Sequence, residues 1–206
     1  MPTVRATGLA PAGAARVAVL GPLAMAVDDR DVVVAGYRRR APLARLALAR
    51  GSIVPAGRAA DDLWQADLRR RSVPTLRTYV AKLRHLLPGG DAILASGSGG
   101  YRLAIGEGAL DAARFERAVQ AATGSPGDVE RVLLPALAEW RGGAYEEFAH
   151  LSWARHEALR LEELRLAAQE RVFDAQLALG RHAEIVPALG ALARPTPCAR
   201  ACRSSW

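Results

Sequence analysis

The N-terminal part of the chain alternates short apolar runs with turn residues. The runs are residues 17–20, 23–27 and 32–34, and they are separated by Gly21-Pro22 and by Asp28-Asp29-Arg30. Short apolar runs bounded by such residues are typical of strands. The pattern therefore predicts a small antiparallel sheet at the start of the fold.

Helical spacing follows this sheet. Leu43 and Leu46 share one face of a predicted first helix, and residues 58–64 are expected to form a second one. Because proline is tolerated in the first turn of a helix but not in its interior, Pro42 predicts that the first helix begins near Ala41.

The third predicted helix has the clearest pattern in this half. Ser72 is placed to cap its N-terminus, and Pro74 lies in its first turn, where a missing N–H costs nothing. Its apolar side chains recur at helical spacing and form one stripe of Leu76, Val80, Leu83 and Leu87. Its opposite face is polar and consists of Thr75, Arg77, Thr78, Lys82 and His85.

A glycine-rich hairpin is predicted after the third helix, with strands at residues 93–95 and 101–105 and a turn at 96–100. The order of sheet, three helices and hairpin is that of a winged helix-turn-helix domain with an N-terminal sheet. In such a domain the third helix fits the major groove of DNA, and the hairpin lies beside it. We expect this domain to cover residues 16–105, after a flexible leader of residues 1–15.

The remainder of the chain is helical in pattern. Gly106-Glu107-Gly108 forms a linker, and a tetratricopeptide-like, all-α domain is expected over residues 109–194. Its predicted helices cover residues 111–122, 128–140 and about 153–179, and a further one begins in 182–193. Helical arrays of this kind present protein-binding surfaces. The fold class is therefore mainly α with a small β component.

The charge distribution supports the division into two parts. Residues 1–105 hold 16 arginine or lysine residues against 7 aspartate or glutamate residues, a net charge of +9, whereas residues 106–206 hold 12 against 14. A basic half joined to a slightly acidic one is typical of a polyanion-binding domain attached to another function. Arginine abundance alone is weak evidence, because every basic residue except Lys82 is arginine and the composition resembles that of a GC-rich genome.

Several classes of protein are excluded by what the sequence lacks. No run of 18 apolar residues is free of charges or breaks, so no ordinary transmembrane helix is expected. The two cysteines both fall in the last nine residues, which excludes a disulfide scaffold. The four histidines lack the spacing of a zinc site, and no catalytic constellation is present. We expect a cytoplasmic, nucleoid-associated protein without signal peptide, enzymatic activity, metal or cofactor.

Two runs of three arginines occur near the predicted helices. Arg38-Arg39-Arg40 is open to two interpretations, contact with DNA phosphates or a solvated helix start, where cations are slightly unfavourable. For Arg69, Arg70 and Arg71, which are expected in the loop before the third helix, contact with the DNA backbone is the better interpretation.

Short motifs along residues 16–194 occur in one order and spacing. In the first half they are Val17-Ala-Val-Leu-Gly-Pro-Leu23, Arg40-Ala-Pro-Leu-Ala-Arg-Leu-Ala-Leu48, Asp62-Leu-Trp64, Thr75-Leu-Arg-Thr-Tyr-Val-Ala-Lys-Leu-Arg-His-Leu-Leu87 and Gly100-Tyr-Arg-Leu103. In the second half they are Asp111-Ala-Ala-Arg-Phe115, Trp140-Arg-Gly142, Arg160-Leu-Glu-Glu-Leu164 and Leu177-Ala-Leu-Gly-Arg181. Together they resemble the Streptomyces antibiotic regulatory protein family, whose members combine an OmpR-type winged helix with a bacterial transcriptional activator domain.

The resemblance implies a sequence-specific transcriptional activator. Such a protein binds double-stranded DNA at promoter direct repeats of a secondary-metabolite biosynthetic gene cluster and recruits RNA polymerase holoenzyme. Self-association on DNA is a further expectation, and no membrane partner is expected.

The resemblance also places base-reading residues on the exposed face of the third helix and a DNA contact on the hairpin. With the arginines that precede the third helix, the predicted DNA-binding set is Arg69, Arg70, Arg71, Thr75, Arg77, Thr78, Lys82, Arg84 and Arg102. Ala81 departs from the family pattern, because a methyl group contacts thymine but makes no bidentate hydrogen bond.

The last residues depart from the helical pattern. Helical period is lost after Ala193, whereas the family continues with a His-Pro-Leu-Arg pattern and further helices. Reading GC-rich codons for residues 195–206 one base earlier restores that pattern. We therefore expect a frameshift, natural or from sequencing, that truncates the second domain near residue 194 and leaves Cys198 and Cys202 without a selected role.

Two functions of different classes remain at this point. One is a DNA-binding transcriptional activator, and the other is a truncated helical protein-interaction module or a non-activating remnant of such a regulator. A gel shift on promoter DNA that contains direct repeats separates them. For the first function, a fragment of residues 16–105 is expected to keep most of the salt-dependent DNA affinity.

Overall fold

The structure is a computed structural model, and it describes residues 15–64, 69–106 and 108–181, with the backbone alone for residues 69–72. The helix expected to begin in 182–193 and the tail of 195–206 lie outside these residues, as do residues 1–14 of the predicted leader. The strands are β1 (Ala15–Ala18), β2 (Ala24–Val27), β3 (Arg30–Asp31), β4 (Val54–Pro55), β5 (Leu94–Gly97) and β6 (Gly100–Leu103). The helices are α1 (Tyr37–Leu48), α2 (Ala56–Leu63), α3 (Arg69–Leu86), α4 (Gly90–Ile93), α5 (Asp111–Ala121), α6 (Pro126–Ala138) and α7 (Ser152–Ala178).

The N-terminal sheet is antiparallel, as predicted, with the strand order β1-β2-β3. The predicted third strand at residues 32–34 is wrong. Asp28 and Asp29 both adopt positive φ, 52° and 59°, and this conformation closes a two-residue hairpin turn directly after β2. The strand β3 therefore ends before the valines, although the N–H of Val32 still donates to the carbonyl of Met25 at 2.9 Å. Val34 is buried and Val33 is 79% exposed.

Helix α1 begins about one turn before its predicted start. Gly36 has a φ of 87°, and its carbonyl accepts the N–H groups of Arg39 and Arg40 at 3.0 and 3.2 Å. This turn starts the helix at Tyr37 and places Pro42 in the helix interior. The missing N–H of Pro42 leaves one carbonyl of the first turn without its helical partner, so the glycine, and not the proline, decides where α1 begins.

Helix α3 also begins earlier than predicted. Arg69, Arg70 and Arg71 form its first turn and do not lie in a loop, and Pro74 lies inside the helix. Arginine is a good helix former, so its run extends the helix past the predicted cap at Ser72. The predicted apolar stripe is confirmed, since none of its members is more than 3% exposed: Leu76, Val80, Leu83 and Leu87.

The predicted hairpin is formed by β5 and β6, and β4 joins it to give the order β4-β6-β5. Its turn is Ser98-Gly99, where both residues have positive φ, as two-residue hairpin turns require. Strand β4, which the sequence does not predict, comes close because Gly100 has no side chain. A Cβ at Gly100 would lie 2.1 Å from the carbonyl oxygen of Val54.

The helices of the second half end within two residues of their predicted bounds. The longest of them, α7, has 27 residues and is therefore about 40 Å long. Trp140 is 8% exposed, and its ring meets that of Phe115 edge-on, with centroids 5.2 Å apart. Trp140 therefore belongs to the core.

The two predicted domains share one core. Buried residues of both halves form a continuous cluster, which includes Val17 and Leu83 of the first half and Phe115 and Leu161 of the second. The position of the boundary at the linker of residues 106–108 stays a prediction. Backbone and side-chain hydrogen bonds join the two halves across this boundary.

The outer edge of β1 and the residues after it are paired with backbone of the second half. The N–H of Val17 donates to the carbonyl of Ala109 at 2.8 Å. The carbonyl of Val19 accepts the N–H of Tyr145 at 2.7 Å, and Leu20 forms an isolated antiparallel bridge a little further on. An edge that would otherwise present unpaired backbone groups is thereby closed.

Asp111 closes the same edge with its side chain. Its carboxylate is 2% exposed and accepts the N–H of Val19 at 2.8 and 2.9 Å and that of Leu20 at 3.0 Å. Burial raises the pKa of the Asp111 carboxyl, against these donors and the guanidinium of Arg141, which lower it. A buried carboxylate with this many N–H donors ties the start of α5 to the strand that it faces.

Candidate nucleic-acid interface

The outer face of α3 is set by its buried stripe. Because that stripe faces the core, the helical period turns Arg77, Thr78, Ala81 and Lys82 to solvent, and all four are exposed. Neither Arg77 nor Lys82 forms an ion pair with any residue that the structure describes. The ammonium of Lys82 lies 5.9 Å from the ring centroid of Tyr79. This face therefore presents two unpaired cations, a hydroxyl and a methyl group.

The two threonines of the predicted set are not equivalent. Thr75 is half-buried and Thr78 is exposed. The hydroxyl of Thr78 donates to the carbonyl of Pro74 at 3.1 Å, so its hydrogen is used within the helix. Its oxygen keeps acceptor capacity, and it can accept a hydrogen bond from an amino group at a base edge.

Arg84 connects α3 to the hairpin. Its Nε donates to the carbonyl of Leu94 at 2.8 Å, and its Nη2 donates to the hydroxyl of Ser96 at 2.7 Å. Its guanidinium also lies 5.8 Å from the ring centroid of Tyr101. The sequence predicts Arg84 as a DNA contact, whereas these contacts make it a residue that positions the hairpin.

Arg102 lies on the hairpin strand β6 and is exposed. Its cross-strand neighbour is Ala95, whose methyl group cannot accept a hydrogen bond from the guanidinium. Within the part of the chain that the structure covers, no carboxylate pairs with Arg102. Arg102 therefore extends from the hairpin as a second cationic element beside α3.

Two clefts flank the outer face of α3, and a third lies at its C-terminal end beside Gly89 and Gly90. The wing cleft is lined by Ala56, Arg77 and residues 96–101 of the hairpin. The α1 cleft is lined by Arg39, Thr78, Ala81, Lys82, His85 and Leu86. Arg39 comes from α1 and was not singled out from the sequence, where only the run of three arginines signalled it.

The three arginines of that run have different surroundings. Arg40 points inward, where its Nε donates to Glu147 at 2.6 Å and its Nη2 donates to the carbonyl of Leu23 at 2.6 Å. The phosphate interpretation is therefore wrong for Arg40, because its donors are used inside the fold. Arg38 is exposed, and Arg39 is half-buried but forms no ion pair with the described residues. For the second run, residues 69–71, the structure describes the backbone alone. Contact of these arginines with DNA therefore stays a prediction.

A second set of ion pairs lies on the inner side of α1. Arg50, just after α1, bonds Glu116 of α5 and Glu157 of α7, and Arg160 bonds the same two carboxylates. Burial alone raises the pKa of Glu116, but the two arginines bring it below its ordinary value. Arg160 likewise lowers the pKa of Glu157. These four residues join the two halves of the protein and pair their charges with one another.

Comparison with known families matches the bacterial transcriptional activator domain to residues 110–203. The match starts at the predicted second domain and runs past its predicted end at residue 194. In the described part of the chain, no helix has the length and apolar character needed to cross a membrane.

Several curated proteins are similar along most of the chain. Regulatory protein DnrI of Streptomyces peucetius is 30% identical over 87% of this chain and 71% of its own length. Regulatory protein AfsR of Streptomyces coelicolor is 36% identical over 90% of this chain but 19% of its own length. Transcriptional regulatory protein EmbR of Mycobacterium tuberculosis is 31% identical over 84% and 47%. The chain thus spans about a fifth of AfsR and about half of EmbR, and the names of all three describe regulatory proteins.

A solved structure shares the fold. Mycobacterium tuberculosis EmbR in complex with a low-affinity phosphopeptide matches with a TM-score of 0.76 and 29% identity, over 87% of this chain and 50% of that chain. The winged helix-turn-helix with an N-terminal sheet, followed by a helical half, is confirmed as the fold class.

Proposed function

Because the chain belongs to the Streptomyces antibiotic regulatory protein family, we propose that it is a sequence-specific, DNA-binding transcriptional activator. It binds promoter direct repeats of a secondary-metabolite biosynthetic gene cluster through α3 and the hairpin. Its helical half recruits RNA polymerase holoenzyme, and the protein is associated with the nucleoid. Two copies on a direct repeat point the same way, so their self-association on DNA is head-to-tail.

The observation that carries this proposal is the contrast between paired and unpaired cations. On the inner side of the first half, Arg40 and Arg50 are bonded to carboxylates. On the outer side, Arg77, Lys82 and Arg102 are exposed and form no ion pair with the described residues. Unpaired cations gathered on one face attract a polyanion and release its counterions on binding.

The shape and chemistry of α3 suit base reading. The helix has 18 residues, which is about 27 Å, and the major groove is about 12 Å wide and admits one helix. Lys82 can donate to the N7 and O6 of guanine, Thr78 can accept from an adenine or cytosine amino group, and Ala81 can contact the thymine methyl. Arg102 on the hairpin then reaches the neighbouring groove or backbone.

Fluorescence anisotropy with the full chain tests DNA binding. A labelled promoter duplex that contains direct repeats is compared with a duplex of the same composition whose repeats are scrambled. We expect tighter binding to the repeats, and a slope of log K against log salt of about −0.9 for each neutralised phosphate. Equal affinity for the two duplexes would contradict sequence-specific reading, and a salt-independent affinity would contradict the electrostatic argument.

Activation needs a separate measurement. Run-off transcription with RNA polymerase holoenzyme on the same promoter, with and without the protein, measures recruitment. We expect more transcript from the repeat promoter and no change from the scrambled one. DNA binding without increased transcript would leave a DNA-binding protein that does not activate.

An alternative function is a helical protein-interaction module that does not bind DNA. It is favoured by α7, whose Leu159, Leu166 and Leu177 are 55%, 51% and 47% exposed, opposite the buried Leu161. Exposed apolar side chains on one helix suit a protein partner. Failure of the full chain to shift either duplex at low salt would favour this alternative over the activator.

A further inference from the structure

Two phosphate backbones border the major groove, and α3 lies between two clefts. We propose that the wing cleft takes one backbone and the α1 cleft takes the other, with Arg39 as the phosphate-binding residue of the α1 cleft. This inference rests on the proposed binding of DNA by α3. It extends the contact surface to α1, where the sequence left phosphate contact by the run Arg38-Arg39-Arg40 as one of two interpretations.

The clefts lie on opposite flanks of the helix. Arg77 lines the wing cleft and Lys82 lines the α1 cleft. Lys82 lies five positions after Arg77. At about 100° per position, their side chains point about 140° apart around the helix axis. Thr78 and Ala81 lie between these directions, on the face that points away from the buried stripe. If the major groove receives this central face, the phosphate backbone on each side of the groove lies at one of the two clefts.

Arg39 is suited to hold a phosphate because its helix is anchored. Its neighbour Arg40 is bonded to Glu147 and to the carbonyls of Leu23 and Val34, so the first turn of α1 is fixed against the rest of the fold. Arg39 itself is half-buried and forms no ion pair with any residue in the described ranges. A cation on a rigid base loses little freedom on binding.

The wing cleft offers comparable groups for the other backbone. The guanidinium of Arg77 shares it with the hydroxyls of Ser96 and Ser98, and all three residues are exposed. Guanidinium and hydroxyl groups are the usual donors to phosphate oxygens. The two clefts thus differ in donors but have the same ligand chemistry, a phosphodiester.

The chain supplies a matched control for Arg39. Arg38 is adjacent, is the same residue type and likewise forms no ion pair with the described residues, but it is exposed and does not line the α1 cleft. We expect Arg39→Ala to weaken binding to the repeat and scrambled duplexes by the same factor and to reduce the salt slope by about 0.9. We expect Arg38→Ala to keep the parent slope, and Arg39→Lys to keep most of it, because the charge remains.

Replacing single phosphates by uncharged linkages shows which DNA strand each arginine contacts. Methylphosphonate linkages placed one at a time along each strand should weaken binding of the parent at positions on both strands. Arg39→Ala should abolish the sensitivity at a position on one strand, and Arg77→Ala should do so on the other. Thermal melting of each variant should equal that of the parent, since neither side chain forms an ion pair with the described residues.

The outcomes separate this inference from the function on which it rests. If the parent binds the repeats with a normal salt slope but Arg39→Ala behaves like Arg38→Ala, the α1 cleft does not hold phosphate and the proposed function stands. Loss of sensitivity on the same strand for both variants also overturns the two-cleft assignment. If the parent shows no salt-dependent binding to either duplex, both proposals fail.

Discussion

On the inner side of the first half, Arg40 and Arg50 reach across to carboxylates of the second half. On its outer side, Arg77 and Arg102 extend into solvent without a carboxylate partner among the described residues. The residue type is the same, but the inner arginines stabilise the joint between the halves and the outer ones keep their charge available to a ligand. Arginine abundance, which is weak evidence in the sequence, becomes informative when the residues are divided by partner.

Adjacent residues make the same distinction within one helix. Arg39 and Arg40 are consecutive, yet Arg40 is half-buried against Glu147 and Arg39 lines the α1 cleft. Successive side chains on a helix differ in direction by about 100°. One turn of α1 therefore serves the inner joint and the outer surface at once.

The largest effect is expected beneath the outer face. Leu83→Ala removes a side chain with no exposed surface and should lower the free energy of unfolding by about 2–5 kcal/mol. Leu86→Ala, on the same helix, is the control, because Leu86 is 36% exposed. Urea denaturation of the two variants measures the difference. Equal stability would mean that the buried and exposed faces of α3 are assigned wrongly.

The inner joint should be nearly as sensitive. Asp111→Ala leaves the N–H groups of Val19 and Leu20 without their acceptor, and each buried unpaired group costs about 1–3 kcal/mol. Asp128→Ala serves for comparison, because Asp128 bonds only Ser125 and Arg131 nearby. Thermal melting of both should show the larger loss for Asp111→Ala. A melting temperature equal to that of the parent would show that the edge of β1 does not depend on Asp111.

Two arginines close to the hairpin should separate stability from binding. Arg102→Ala should weaken DNA binding by about 1–3 kcal/mol if it reaches a base edge and leave the melting temperature unchanged. Arg84→Ala should lower the melting temperature, because it loses its bonds to Leu94 and Ser96. Anisotropy and calorimetry on both variants provide the two readouts. The reverse pattern would exchange the roles that the structure gives them.

The smallest effect concerns pH. The hydrogen bond from Arg40 lowers the pKa of Glu147 from its ordinary value of 4.5. A carboxyl with a lowered pKa in the folded state contributes its full stability above pH 4.5 and loses it as the pH falls through the folded value. The parent should therefore exceed Glu147→Gln by about 1 kcal/mol or less near neutral pH, and by less below about pH 3. Urea denaturation at both pH values measures this, and a difference that grows on acidification would contradict the pairing.

Much of the fold could be predicted because its signals are local. The stripe from Leu76 to Leu87, the hairpin and the helices of the second half follow from apolar spacing and turn residues. The predicted start of α1 rests on Pro42 alone, whereas in the structure the turn at Gly36 starts the helix. The expectation that residues 16–105 act alone has to be revised, because the fragment would leave the edge at Val17 and Val19 without its partners.

For the candidate site, the sequence indicated which helix faces outward and which residues it carries. It could not indicate that Arg84 bonds the hairpin, that Arg40 bonds Glu147, or that Arg39 lies beside Lys82. Each of these facts depends on residues distant in sequence or on neighbouring elements.

The sequence by itself determined the elements, their order and the polar face of α3, since these depend on residues a few positions apart. Only the tertiary structure decided which arginines are paired, because an ion pair such as Arg50 with Glu116 joins residues from different halves of the chain. Helical period sets the direction in which a side chain points. Packing of the elements decides which partner the side chain meets. Packing therefore also decides whether a charge is paired within the protein or is left for another molecule.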